Sequence, residues 1–217
     1  YGVAELGDSV FRKGKAMDFR ELFLTEHARI HTAEVGNPDL SFQDLILHEA
    51  TEEQMRLRPR PGSNTLAWLL WHMTRGEDVG INVIIAERPQ VLDEGDWLRQ
   101  MNILRRDGGT GMTAQEVDEL NTHINVDALL AYRLAVGRRT REIIRDLRPE
   151  VLDEVIDAAL VQRARDEGAF GPNAEWAPQR WEGKKKAFTL SWTVLGHSYT
   201  TVGECYVVRG LLGLPTI

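Results

Sequence analysis

Two apolar stretches lie far apart in the chain: WLLWHMTRGED at 68–78 and GHSYTTVGECYVVRGLLG at 196–213. Each is a helix-like run with one histidine inside it, His72 and His197. An imidazole set among Trp, Leu and Val must find a polar partner once its helix is buried. Two such helices packed side by side aim both rings into one cavity, as in the metal sites of helical bundles. The first expectation is therefore a helical bundle with a metal-dependent or metal-derived pocket.

Hydrophobic spacing supplies the remaining long helices. Phe19, Leu22, Phe23, Ile30 and Ala33 recur at helical intervals, with Asp18 as N-cap and Gly36 and Pro38 as the stop. Leu129, Leu130, Leu134, Val136, Ile143 and Ile144 share a face of a third helix over 126–147. The predicted fold is all-α, a four-helix bundle with helices near 18–34, 64–86, 126–147 and 187–212. Ser63 or Asn64 is the expected cap of the second helix. Short helices and loops are inserted between 88 and 125 and again before 186. Thr113 opens a capping-box pattern, TAQE. The loop RRDGGTG (105–111) is suited to lining a pocket, and Trp176 and Trp181 in the later insertion call for at least partial burial. Residues 1–16 read as an N-terminal extension before one domain over 17–217.

A length of 217 residues suits one domain with an ample core. The net charge of −7 argues against a nucleic-acid partner, because phosphate binding needs a basic face. No apolar run is long enough to span a membrane, and no N-terminal signal peptide is evident. The lone cysteine, Cys205, excludes an intramolecular disulfide and fits a reducing cytoplasm. It reads as a small core residue, with a reactive thiol near the pocket as the other reading.

The segments PGSNTLAWLLWHM (61–73), GHSYTTVGE (196–204) and RGLLGLP (209–215) resemble the DinB-like superfamily, which includes YfiT-type and mycothiol-dependent enzymes. The resemblance spans about residues 17–213. It implies a four-helix bundle, and in many members a divalent metal held by three histidines. One of these is on the second helix, and two are spaced i, i+4 on the last. His72 matches the first ligand and His197 the second, but the third position is Thr201. A neutral hydroxyl is a poor ligand for zinc or nickel. The function implied is a metal-dependent enzyme using a thiol cofactor (mycothiol, bacillithiol or glutathione), of the transferase or isomerase kind, acting on a small molecule. The competing reading is a non-enzymatic small-molecule-binding or structural homodimer with a vestigial metal site. Self-association as a homodimer is expected from the apolar surplus that includes Leu211, Leu212 and Leu214.

Residue geometry then nominates substitutes. Thr201, Glu204 and Val208 follow His197 at helical intervals on one face, so Glu204 is the local candidate for the third ligand. Trp68 shares a face with His72, and Gly76 and Gly80 suggest close approach of another helix or a ligand. His27 and His31 sit at i, i+4, a spacing that can grip a metal. A solvated or half-buried face is the plainer expectation for that pair, with His31 able to point at the central cavity. Glu77 and Asp78 are expected to reach solvent or pair with arginines such as Arg75.

Overall fold

A computed structural model describes residues 18–215; the expected extension at 1–16 lies outside them. Four long helices form the bundle. The first, α1, is Phe19–Ile30. The second, α2, is Leu66–Asp78 and continues as a π-helical segment, Val79–Ile85. The third, α3, is Val126–Asp146. The fourth, α4, is His197–Leu211, preceded by a π-helical segment, Thr189–Gly196. Among the described residues the only β pairing is an isolated bridge, Val155 to Lys185.

Local chemistry sets the ends of these helices. Asp18 caps α1 through a capping box with Glu21. The helix stops at Ile30, earlier than the pattern predicts, because His31 is extended; a short turn, Ala33–Gly36, follows. Thr65 caps α2 by accepting from the Trp68 amide at 3.1 Å, in place of the expected Ser63 or Asn64. Thr113 and Glu116 form the expected capping box at the start of the short helix Ala114–His123.

The core is centred on α2. Leu66, Leu69, Leu70 and Trp71 pack with Leu129, Tyr132 and Val136 of α3 and with Val202, Cys205 and Val208 of α4. Full burial of such side chains contributes roughly 1.5–3 kcal/mol each. Cys205 is buried here, and burial pushes its thiol up to about 12, as befits an inert core residue. A second cluster joins Phe23 of α1 to Ile81, Ile85, Ile143 and Val194. Gly80 makes room at the α2–α4 contact: a Cβ there would lie 3.1 Å from Thr189 and 3.3 Å from Thr193.

The polar residues of α2 depart from expectation. Glu77 and Asp78 are fully buried, as are His27 and His31. Glu77 accepts from His27 Nε2 at 2.7 Å, His31 Nε2 at 2.8 Å and Thr140 Oγ1 at 2.6 Å. Three donors satisfy the carboxylate inside the bundle, so it need not reach water. Burial pushes Glu77 up, but the facing His31 and His27 outweigh it and hold the carboxyl well below its usual range. Burial pushes His31 down to about 3. Asp78 does pair with Arg75, at 2.9 Å, but in a dry interior. It also accepts from the Tyr132 hydroxyl and from the amides of Val91 and Leu92.

Breaking a buried ion pair from one side leaves an uncompensated charge and costs about 3–5 kcal/mol. Asp78→Ala is expected to lose that much in urea unfolding. Acid should destabilise the wild type as well. An unfolded His31 takes up a proton near its ordinary value of 6.5, whereas the folded one resists to about 3. Glu77 has the same sign, since its folded value is depressed. Stability is therefore complete above pH 6.5 and falls as pH drops toward 3. A urea midpoint that stays flat between pH 7 and pH 4 contradicts this.

Candidate functional site

His72 and His197 meet across the α2–α4 seam. Their Nε2 atoms are 2.9 Å apart and their ring centroids 4.7 Å apart. His72 is held on three sides. Its ring stacks on Trp68 at 4.7 Å, with an interplanar angle of 12°. Its Nδ1 lies 2.5 Å from the Gly108 carbonyl, which only accepts, so Nδ1 carries the proton and Nε2 keeps its lone pair. His197 is placed by the π segment before it: its amide bonds Trp192 O, five residues back. Such π turns recur at functional sites.

Gly108 belongs to the loop over 105–111, fixed from both sides. Arg75 Nε donates to Arg106 O at 2.7 Å, and Asp107 Oδ1 accepts from the Gly109 amide at 2.8 Å. Arg105 pairs with Asp107 and Glu116, and Arg106 with Asp93. The loop arginines are thus spent on structure, while Gly108 and Thr110 line a cavity of about 100 Å³ beside both histidines. Phe170, Trp181, Trp192 and Val79 form its apolar walls. A second, more open cavity of about 320 Å³ lies on the other side of His72, against Asn64, Trp68 and Met112. Arg180 lines both.

Burial lowers both imidazoles. His197 is pushed down to about 4 by desolvation, with smaller contributions from His72 and Arg180. His72 is lowered by burial, against the opposing hydrogen bond to Gly108 and the charge of Glu204. A neutral imidazole is the ligating form.

The other nominated residues are dispersed. Thr201 is buried, and its hydroxyl donates to the His197 carbonyl at 2.9 Å. Glu204 is exposed, and its Oε1 accepts from Asn64 Nδ2 at 2.7 Å, at the edge of the second cavity. Trp68 lines that cavity. His31 sits with Glu77 and is not among the residues lining either cavity. Gly76 faces His197, where a Cβ would lie 3.8 Å from its Nδ1.

The donor set can be compared with what a cation needs. Two imidazole nitrogens 2.9 Å apart lie within reach of one ion at about 2.0–2.1 Å from each. The bond from His72 Nδ1–H to a backbone carbonyl is the usual orienting partner of a metal-ligating histidine. The carboxylate that follows on α4, Glu204, is bonded to Asn64, so the two imidazoles alone face each other here. A second group that can hold a metal is His27, His31 and Glu77, whose ligand atoms lie within 4.8 Å of one another. There both Nδ1 atoms are buried without a partner. A ligated Nε2 would leave an N–H at each of them unsatisfied, so this group suits a hydrogen-bonded carboxylate better.

Residue spacing did not reveal Arg180, Phe170 or the Gly108 carbonyl. They come from loops and a short 3₁₀ turn, and a backbone acceptor has no side-chain signature.

A model of the DinB superfamily matches residues 42–204. A crystal structure of a conserved protein from Enterococcus faecalis is similar to this fold, with a TM-score of 0.62 and 17% identity. The match covers 91% of this chain and 98% of that one. At that identity the likeness bears on the fold alone. No functionally curated protein matches the chain.

The loop that holds His72 has two positions only glycine serves, Gly109 and Gly111. Gly109 has φ +80°, and a Cβ there would lie 2.9 Å from the Trp68 indole nitrogen. Gly109→Ala is expected to cost about 1–2 kcal/mol from the backbone alone and to shift the Trp68 stack. At Gly108 a Cβ meets only ordinary contacts, 3.6 Å to Arg75 and 4.0 Å to His72. Gly108→Ala should therefore unfold near the wild-type temperature. Equal melting losses in both variants contradict the assignment.

Proposed function

The chain belongs to the DinB superfamily, and from that premise we propose that it is a metal-dependent enzyme that uses a low-molecular-weight thiol, of the transferase or isomerase kind. The observation that carries this is the convergence of two imidazole Nε2 atoms, 2.9 Å apart, on the wall of an apolar cavity. His72 and His197 would hold the cation. Glu204 would be the third ligand after its carboxylate leaves Asn64. Zinc or nickel so held lowers the pKa of a thiol and supplies it as thiolate.

The chain's own residues do the rest. Gly108 fixes the His72 tautomer, and Trp68 fixes its ring plane. Phe170 and Trp181 give one side of the pair an apolar wall. The second cavity, against Asn64 and Trp68, offers separate room for a second reactant. Mycothiol, bacillithiol and glutathione all fit this scheme as thiols.

One observation favours the other reading, a metal-free small-molecule binder with a vestigial site. Thr201 is bonded to its own helix and Glu204 to Asn64, so neither aims a donor at the histidine pair. Metal analysis and calorimetry separate the two. The enzyme reading expects about one equivalent of zinc or nickel, lost in His72→Ala and weakened in Glu204→Gln. Thr201→His should tighten it, because a third imidazole lies one turn from His197. Thiol consumption against a panel of electrophilic alkenes and epoxides should then depend on the metal. Absence of metal from the wild type, with no titration endpoint, supports the binder.

A further inference from the structure

The cavity beside the histidine pair has an unusual charge environment for this chain. The protein carries a net charge of −7. Yet no carboxylate lines either cavity around His72 among the described residues. The arginines behind the cavity are closed by acids: Arg75 by Asp78, Arg105 by Asp107 and Glu116, and Arg106 by Asp93. Arg180 differs. Its guanidinium lies over the Trp176 ring, 4.4 Å from the centroid, and no acid pairs with it among the described residues. Contact with an aromatic face leaves the edge N–H donors of a guanidinium free. Arg180, with His72 and Thr110, lines both cavities.

A free guanidinium at the mouth of an aromatic-walled cavity selects a ligand with an anionic head and an apolar body. A carboxylate matches it best, because the two planar groups pair through two parallel hydrogen bonds. The space limits the body. The cavity of about 100 Å³ is of the order that accepts a single small ring. We propose that this cavity binds a short or monocyclic carboxylate, its head on Arg180 and its body against Phe170, Trp181 and Val79. The inference deepens the reading above and rests on it only in taking this cavity as the substrate site. The carboxylate head places the adjoining carbons of the ligand next to the His72–His197 pair.

The test uses benzoate and its neutral isostere benzamide on the full chain treated with chelator, so that it does not depend on bound metal. Binding is read from tryptophan fluorescence, since Trp181 and Trp192 line the cavity. Benzoate is expected to bind at least about tenfold more tightly than benzamide. Arg180→Gln should abolish that preference and leave benzamide binding unchanged, and Arg180→Lys should keep part of it. Phe170→Ala should weaken both ligands. Arg180 is exposed, so its variants should melt as the wild type does. Equal affinity for acid and amide overturns the proposal, as does benzoate binding that survives Arg180→Gln, or no binding of either probe at millimolar concentration. Zinc titration of Arg180→Gln reads the metal site separately: zinc binding kept while benzoate is lost identifies Arg180 as the anion contact. Benzoate preference in a chain that binds no metal leaves this inference standing and removes the metal-dependent one.

Discussion

The buried pair of Arg75 and Asp78 is the interaction on which the rest of the site depends. Both side chains are withdrawn from water, which is tolerable because each charged group is hydrogen-bonded on several sides. Asp78 takes the Val91 and Leu92 amides, so the chain leaving α2 is tied back to it. Arg75 takes the Gln90 side chain and the Arg106 carbonyl, so the loop over 105–111 is tied to it as well. Tyr132 closes the pair from α3. The long connection between α2 and α3 is thereby fastened near its start and at its middle to one turn of one helix. Gly108 holds His72 because Arg75 holds Arg106.

Successive residues of that turn serve different purposes. His72 and Gly76 face α4, Arg75 and Asp78 face the inserted connection, and Glu77 faces α1. A helix polar on several sides would ordinarily be solvated. Here it is the centre of the bundle, and each polar group has a dedicated partner. The Glu77 cluster depends on close packing in turn. A Cβ on Gly137 of α3 would lie 2.8 Å from His31 Nδ1, so the absence of a side chain there leaves room for the imidazole.

Much of this was legible in the sequence, for a physical reason. Each bundle helix buries a wide apolar stripe, so the 3.6-residue period of Leu129, Val136 and Ile143 persists along α3. The two embedded histidines do face each other across the α2–α4 seam. Interactions that depend on long-range pairing were not legible. Glu77 is satisfied by His27, 50 residues away, and Asp78 by Tyr132, 54 away. Without those partners an acidic pair in sequence reads as solvated. The cap of α2 fell to Thr65 because Ser63, Asn64 and Thr65 are all cap-type residues, and only the backbone decides among them. The π segments add a further offset: a turn closing on the fifth residue rotates His197 relative to an α-helical count from Trp192. Arg180 sits in a short 3₁₀ turn, Ala177–Arg180, with no periodicity to reveal it.

The two imidazoles are not equivalent, and the difference bears on how strongly the pair can hold a cation. His72 carries its proton on Nδ1, committed to Gly108, so its Nε2 is always an acceptor. In the metal-free protein the 2.9 Å contact then requires His197 to donate from Nε2. A cation held by both Nε2 atoms would require that proton to sit on His197 Nδ1 instead. Among the described residues no acceptor bonds that atom; the nearest feature of α2 there is Gly76. Lost orienting partners typically cost 10–100-fold in metal affinity, on the order of 1.4–2.8 kcal/mol. His72 is thus pre-organised as a donor, and His197 would have to adapt. A carboxylate supplied by Glu204 would add the negative charge that two neutral rings lack, and it would first have to give up its hydrogen bond from Asn64.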